Sequence, residues 1–287
     1  MKTILVLTDF SRNAAHAGRS AAWLAEKTHA GLLLWNCSPK VPVMPAYLGG
    51  VAVAEVMAGT EEGQDLLDEA VRDLEDYISS TDGAYKPRLA TSYHEGSLEQ
   101  ELQQQLAIDA VEMIVIGSAA SNCSADHIFK GSDTFKILEA ATCPVLVVPP
   151  RAGLDQLEKV VFATDYEQED LQVLKQMQQL FGVFDPVIEI VHVTLNGDKD
   201  EAVIAKEAQF LEQLGKINRQ FSYKEIRGKE VTGRLNRISK QTGADLLAMT
   251  HHQYALFKRL MTDSEAKKEL AHQKIPLLFF PINLKRS

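Results

Sequence analysis

The sequence contains little cysteine and no long apolar run. Its three cysteines, Cys37, Cys123 and Cys143, are odd in number, lie far apart and form no Cys-x-x-Cys pair. This argues against a disulfide framework or a thiol redox motif and predicts reduced thiols. No apolar stretch approaches the ~20 residues that a membrane-spanning helix needs. The N-terminal apolar stretch stops at Thr8 and Asp9, where a secretory signal would continue, so we expect a buried strand and a cytoplasmic protein.

An excess of positive charge is also missing. The chain carries 30 Lys and Arg against 39 Asp and Glu, a formal net charge of −9. Residues 1–150 contain 10 basic and 20 acidic residues, whereas residues 151–287 contain 20 and 19, so the first half carries the negative excess. Neither half offers the basic face that drives DNA binding. We therefore expect neither DNA nor a membrane as a partner.

The short motifs of common hydrolases and phosphoryl-transfer enzymes are absent as well. The sequence has no Walker A lysine loop, no Gly-x-Ser-x-Gly elbow and no His-Glu-x-x-His. An obvious base or arginine finger for ATP hydrolysis is also lacking. We expect no catalytic residue and, at most, a slow ATPase.

What the sequence does contain is an internal repeat. Three segments recur in the same order, the first two at an offset of 156 and the third at 132: 4–9 (ILVLTD) with 160–165 (VVFATD), 32–37 (LLLWNC) with 188–193 (IEIVHV), and 143–149 (CPVLVVP) with 275–281 (IPLLFFP). The offset of 156 is constant from residue 4 to residue 37, which predicts two copies of one domain. The change of offset predicts that the second copy lacks 24 residues in its middle.

Each copy alternates apolar strands with amphipathic helices. The strands show no polar alternation, as expected where both faces of a parallel sheet are covered. Ser11 is placed to cap the first helix, which Gly31 would close. Five strands in each copy predict an α/β fold of two tandem, doubly wound, parallel five-stranded sheets. The predicted domains are residues 1–149 and 158–284, with a linker between them.

A stretch without helical or strand periodicity lies where the second copy is shorter. Residues 39–60 are rich in proline and glycine, which predicts a long loop. The loop would follow the carboxyl end of the second strand, where ligands bind in open α/β sheets. A loop that packs on the other domain fits the pattern equally well.

The residues best suited to bind a ligand follow the first and fourth strands of the first copy. Asp9 ends the first strand, and its carboxylate is suited to accept hydrogen bonds from a ribose or a base. Gly117 ends the fourth strand, where a bare backbone lets a ligand approach closely. Gly131 and Ser132 open a helix whose N-terminus suits phosphate oxygens. The same residues would also serve as a turn former, a turn glycine and an N-cap, so their spacing does not decide between ligand and structure.

These residues resemble the nucleotide-binding pattern of the universal stress protein family, which consists of a strand ending in Asp, a glycine loop after the fourth strand, and Gly-Ser before a helix. The likeness covers nearly the whole chain, and the two copies resemble the tandem two-domain members of that family. It implies the universal stress protein fold, which is like that of adenine nucleotide alpha hydrolases. It also implies an ATP or AMP ligand and a role in a cytoplasmic stress response.

The resemblance further implies roles for eight residues of the first copy. Asp9 and the backbone of Cys37 would contact the adenine, while Ile116 and Gly117 would flank the ribose. Ala120 stands at the second glycine of the loop, and the gap that follows is one residue longer than in the family. The phosphates would be approached by Gly131, Ser132 and Asp133.

The second copy keeps less of this pattern. Asp165 and Val193 hold the positions of Asp9 and Cys37, but Thr250 and the histidines after it replace the glycine loop. Residues 263–264 (Asp-Ser) replace Gly-Ser, and an acid at that helix N-terminus would occupy or repel a phosphate site. We expect no ATP in the second copy.

Two other functions remain open from the sequence. A scaffold or interaction protein without a physiological nucleotide would explain Ala120 and the altered second copy. A ligand or metal site would use residues 39–60 or His251 and His252, but adjacent histidines chelate poorly alone, so we expect no metal. The family resemblance implies an unknown protein partner and pairing of the last strands, Val145 to Val148 and Leu277 to Phe280, between domains or in a homodimer.

Overall fold

The computed structural model describes residues 2–39, 51–108, 110–118, 131–195, 201–217, 221–253 and 275–281. The chain forms two compact units, Met1–Ala141 and Thr142–Ser287. The elements of the first unit are β1 (Thr3–Leu7), α1 (Arg12–Thr28), β2 (Gly31–Ser38), α2 (Val51–Ser80), β3 (Leu89–Glu95), α3 (Leu98–Ile108), β4 (Val111–Gly117) and α4 (Gly131–Ala140). Those of the second are β5 (Val145–Val148), β6 (Lys159–Ala163), α5 (Gln168–Phe181), β7 (Val187–Leu195), α6 (Glu201–Ile217), β8 (Ser222–Gly228), α7 (Val231–Thr242), β9 (Leu246–Thr250) and β10 (Leu277–Phe280).

The strands of the first unit form a parallel sheet in the order β3-β2-β1-β4. β1 and β2 are almost wholly buried, as their unbroken apolar sequences predict. α1 packs against α2, and α3 packs against α4. The predicted α/β fold with alternating helices is therefore confirmed.

The second unit repeats this arrangement and adds two strands, β10 and β5. β10, β9, β6, β7 and β8 are parallel neighbours in that order. β5, the last strand of the first repeat, pairs antiparallel with β10, with Leu278 opposite Leu146. β10 is thus paired on both edges, which covers the flat apolar edge that it would otherwise expose.

The first helix starts as predicted but ends earlier. Ser11 caps α1, because its Oγ accepts a hydrogen bond from the amide of Ala14 at 3.1 Å. The prediction that Gly31 closes the helix is wrong. His29 adopts the left-handed conformation that ends α1, with φ 55°, and its amide bonds to the carbonyl of Ala25. Gly31 instead begins β2, since its amide donates to the carbonyl of Lys2 at 2.8 Å.

The predicted loop over residues 39–60 is also partly wrong. Residues 51–60 belong to α2, which begins at Val51 and runs for 30 residues. Alanine, the strongest helix former, recurs in this stretch, and Met57 also favours a helix. The loop prediction rests instead on the prolines and glycines of residues 39–60. Residues 40–50 lie outside the described residues. Among the helices described, none is both long enough and apolar enough to cross a membrane.

Candidate functional site

Three of the predicted site residues meet at one edge of the first unit. The parallel register sets Leu7 of β1 beside Trp35 of β2, and Val6 beside Val115 of β4. Two residues further along each strand are Asp9, Cys37 and Gly117. Because parallel strands present their carboxyl ends at the same edge, these residues lie together where open α/β sheets bind ligands.

The turn from β1 to α1 is built by hydrogen bonds that hold Asp9 in place. The amide of Ser11 donates to Oδ1 of Asp9 at 3.1 Å, and the amide of Phe10 donates to Oγ1 of Thr8 at 3.0 Å. Phe10 itself has φ 61°. Asp9 is half-buried and therefore serves as a turn former while its carboxylate remains at the edge of the sheet.

Gly117 has a packing role that the sequence pattern did not reveal. A Cβ atom at this position would lie 2.8 Å from the backbone oxygen of Asn13, too close for any side chain. Asn13 also donates its side-chain amide to the carbonyl of Ser118. A bare backbone is thus required where the first turn of α1 meets the end of β4, with or without a ligand.

Cys37 and Ile116 point their side chains into the protein. Ile116 is 3% exposed and Cys37 is 4% exposed. Burial, together with the nearby carboxylate of Glu101, raises the pKa of the Cys37 thiol to about 11. The thiol is therefore protonated at neutral pH, and only the backbone of Cys37 is suited to a ligand. The adjacent Asn36, fully buried, donates to the carbonyl of Thr8 at 2.7 Å and ties the two strand ends together.

The helix predicted to face the phosphates begins where the motif places it. α4 starts at Gly131, so Ser132 and Asp133 fall in its first turn. Asp133 adds a negative charge there, but Lys136 lies 3.8 Å from it and bridges to Glu99 at 3.4 Å. Ala120 and the rest of residues 119–130 lie outside the described residues.

The second unit repeats the same turn with different residues. Tyr166 has φ 64°, and its amide donates to Oγ1 of Thr164 at 3.0 Å, as Phe10 does to Thr8. His192, at the position of Asn36, bonds through Nδ1 to the carbonyl of Thr164 at 2.8 Å. The same turn at an offset of 156, with closely similar φ angles and matching hydrogen bonds, supports the repeat independently of sequence likeness.

The strand ends of the second unit are bonded to one another. Val6 pairs with Val115, and Phe162 pairs with Ala248, so Thr250 stands where Gly117 does. Its hydroxyl donates to Asp170 at 2.9 Å. Asp170, 1% exposed, also accepts from the hydroxyl of Thr164 at 2.7 Å. Burial raises the pKa of Asp170, although these hydrogen bonds oppose the shift.

Aromatic side chains fill the space beside this network. Tyr166 stacks on the ring of His192 with centroids 4.2 Å apart. The hydroxyls of Tyr166 and Tyr223 are 2.7 Å apart, and Tyr223 donates to Glu207 at 2.5 Å. Burial raises the pKa of both phenols, so both remain protonated donors. Thr250, at the position of Gly117, is therefore bonded internally, whereas the side chain of Asp165, at the position of Asp9, is 54% exposed and lies 3.8 Å from Nδ1 of His192.

Comparison with known proteins decides the family. The model of the universal stress protein family matches residues 1–149, more than half of the chain. The chain belongs to the universal stress protein family. No curated protein matches it significantly.

Solved structures agree with this assignment of the fold. A universal stress protein from Archaeoglobus fulgidus DSM 4304 covers 97% of this chain and 98% of its own, with 13% identity and a TM-score of 0.64. A functionally unknown protein from Pseudomonas aeruginosa PAO1 covers 98% and 92%, with 15% identity and a TM-score of 0.53. At such identities the likeness concerns the fold of this universal stress protein and not its ligand.

The histidines near the end of β9 form no metal centre in the part of the chain that the structure describes. His251 begins a single 3₁₀ turn, His251–Gln253. Within the described ranges, no group of three or more His, Cys, Asp or Glu side chains is placed to hold a metal ion. Residues 254–274, which follow this turn, lie outside those ranges.

A cleft that the sequence did not predict lies between α1 and α2. Its volume is about 180 Å³, and Thr8, Phe10 and Ser11 form the end nearest the β1–α1 turn. Small residues on α1, among them Ala14 and Gly18, leave this space. Their recurrence at helical spacing was visible in the sequence, but only the position of α2 turns it into a cleft.

Proposed function

We propose that the first repeat of this universal stress protein binds an adenine nucleotide, ATP or AMP. The observation that carries the proposal is the meeting of Asp9, the Cys37 backbone and Gly117 at one edge of the sheet. The carboxylate of Asp9 and the strand-end backbone suit the hydrogen-bonding groups of a base and a ribose. The N-terminus of α4, where the helix dipole favours negative charge, suits phosphate oxygens.

The second repeat supports the proposal by contrast. At the position of Gly117 it carries Thr250, whose hydroxyl is bonded to the buried Asp170, and Tyr166 stacks on His192 beside this bond. A nucleotide would have to break these contacts and leave buried polar groups without partners, which costs roughly 1–3 kcal/mol for each group. The nucleotide is therefore assigned to the first repeat alone.

The proposed biological role is a stress response in which bound nucleotide alters contacts with a protein partner in the cytoplasm. β10 is already paired on both edges by β5 and β9. A homodimer of the kind implied by the family resemblance would consequently use a surface other than the edge of β10.

Nucleotide released from the freshly purified chain tests the proposal first. Denaturation followed by chromatography should release an adenine nucleotide, and added ATP should raise the melting temperature. Gly131→Leu should abolish that rise, because a bulky side chain enters the first turn of α4. No released nucleotide together with no ATP-induced shift would refute the proposal.

A matched pair of substitutions locates the site. Asp9→Asn keeps an oxygen for the Ser11 amide but removes the charge, and should weaken ATP binding by about tenfold, or ~1.4 kcal/mol. Asp165→Asn makes the same change at the matching position of the second repeat and should leave ATP affinity unchanged. Equal losses in both variants would contradict the assignment to the first repeat.

A scaffold function without nucleotide is the second candidate. The observation that favours it is the contact of Gly117 with Asn13, which explains the glycine without any ligand. Capture of a protein partner by a chain that neither retains nor binds nucleotide would support this function.

A further inference from the structure

Five basic residues surround a cavity at the corner between β8 and α7. The cavity has a volume of about 600 Å³ and is lined by Arg227, Lys229, Arg234, Arg237 and Lys240, with Glu230 as the acidic residue among its lining. Arg234, Arg237 and Lys240 follow one another at intervals of three along α7, so they share a helical face. A concentration of positive charge of this kind stands out in a chain with a formal net charge of −9.

Arg234 is the most informative of these residues. Its Nε atom is buried and has no hydrogen-bond partner among the described residues. Its stem lies against the backbone of Gly228, where an added Cβ would come within 3.3 Å of Cγ of Arg234. The residue as a whole is only half-buried, so the remaining nitrogens of its guanidinium group are accessible to an anion in the cavity.

The acidic side chain in the lining does not neutralise the cavity. Glu230 caps α7, with its Oε2 accepting from the amide of Gly233 at 3.3 Å. Within the described ranges, no ion pair joins any of the five basic side chains to a carboxylate. The cavity therefore keeps an excess of positive charge beside the N-terminus of a helix of 12 residues.

The matching corner of the first unit has the opposite character. Ser38 pairs with Glu95, and its counterpart Thr194 pairs with Arg227, which aligns β3–α3 with β8–α7. Gly96 and Gly228 then coincide. The first unit places the fully buried Leu102 where the second has Arg234. Arg237 and Lys240 likewise replace uncharged residues, Gln105 and Ile108. The fold does not require a basic corner, so a local function is the simpler explanation for it.

We propose that this corner binds a small molecule that carries two or more phosphate groups. One arginine side chain can bind two oxygens of a phosphate group at once. The cavity offers three basic residues on one helical face and two from the preceding segment, which is enough positive charge for more than one phosphate. The volume of the cavity lies within the range of small-molecule sites, roughly 300–1,000 Å³. The site is separate from the nucleotide site proposed in the first unit and does not depend on it.

Tripolyphosphate is the probe, because it carries the charge without a base. Calorimetry on the full chain at low salt should show binding that weakens as salt is added, since screening acts on these charges. Arg234→Gln and Arg237→Gln should each weaken binding at least tenfold. Lys175→Gln removes the same charge from α5, away from the cavity, and should leave the affinity unchanged.

The double variant Arg237→Gln, Lys240→Gln keeps the test decisive if Arg234→Gln fails to fold, because both side chains are exposed. Loss of binding in that variant with retention in Lys175→Gln supports the site. The proposal is overturned if the chain does not bind tripolyphosphate, or if these variants bind it as the unchanged protein does. A single-stranded RNA that binds the corner more tightly than tripolyphosphate would also overturn the assignment to a small ligand.

Discussion

The two repeats share a backbone and differ in what they do with the same positions. Phe10 and Tyr166 adopt the same left-handed conformation, and Asn36 and His192 make the same bond to the preceding strand. Both repeats keep a carboxylate after the first strand, Asp9 and Asp165, but the fourth strand of the first repeat ends in a bare glycine, Gly117. In the second repeat the matching residue is Thr250, which is hydrogen-bonded to the buried Asp170. The two repeats thus share the turn between the first strand and the first helix, and they differ in the side chains around it.

The corner beside each third strand shows the same contrast in charge. The first repeat carries Glu95, Glu99 and Glu101 there, and Lys136 bridges to Glu99. The second carries the five basic residues of the cavity. Because α3 and α7 occupy equivalent places in the fold, the charge of the corner is independent of the architecture.

The largest expected effect comes from the buried carboxylate of the second repeat. The first repeat has Ala14 at that position, so Asp170→Ala makes the two repeats alike there. The change leaves the hydroxyls of Thr164 and Thr250 without their acceptor and should lower the free energy of unfolding by roughly 2–4 kcal/mol. Chemical denaturation measures this loss. A loss below about 0.5 kcal/mol would show that the network is not what holds the strand ends.

The next effect comes from the glycine of the first repeat. Gly117→Val drives a side chain against the backbone of Asn13 and should destabilise the protein by roughly 1–3 kcal/mol in the absence of any ligand. At the matching position the second repeat already carries Thr250. Denaturation of the ligand-free chain provides the measurement, and an unchanged midpoint would mean that the glycine serves a ligand rather than the packing.

A smaller effect on stability is expected from Tyr166, which is hydrogen-bonded to Tyr223 in the second repeat. Tyr166→Phe gives it the residue type of Phe10 and removes the bond to Tyr223, at a cost of about 1 kcal/mol. The reciprocal change Phe10→Tyr should bring no gain, because Thr91 stands in β3 where Tyr223 stands in β8. Thermal denaturation of both variants tests the pair, and equal shifts in the two would contradict the comparison.

The pH dependence of stability provides the smallest signal. Since burial raises the pKa of Asp170 in the folded protein, the folded chain holds this proton to higher pH than the unfolded chain. The resulting stability is complete below the ordinary pKa of 3.8 and declines as pH rises through the folded pKa. Asp170→Asn removes this contribution. The stability of the wild type relative to the variant should therefore fall with rising pH in that interval, and a rise would contradict the direction of the shift.

Local patterns in the sequence predicted much of this fold and little of the hydrogen-bond network around Asp170 in the second repeat. The bounds of β5 and β10 follow from short apolar runs between prolines and were predicted residue for residue. The start of α2 at Val51 was missed, because an alanine-rich segment lay among helix breakers. Asp170 was missed for a different reason. Its partners, Thr164 and Thr250, are 6 and 80 residues away, and only the sheet brings them together.

The stoichiometry of nucleotide binding tests the central claim most directly. Calorimetric titration of the full chain, stripped of nucleotide, with ATP should give one site per chain, and Asp9→Asn but not Asp165→Asn should weaken it. Two sites per chain would contradict the closure of the second repeat. No binding at all would contradict the competence of the first.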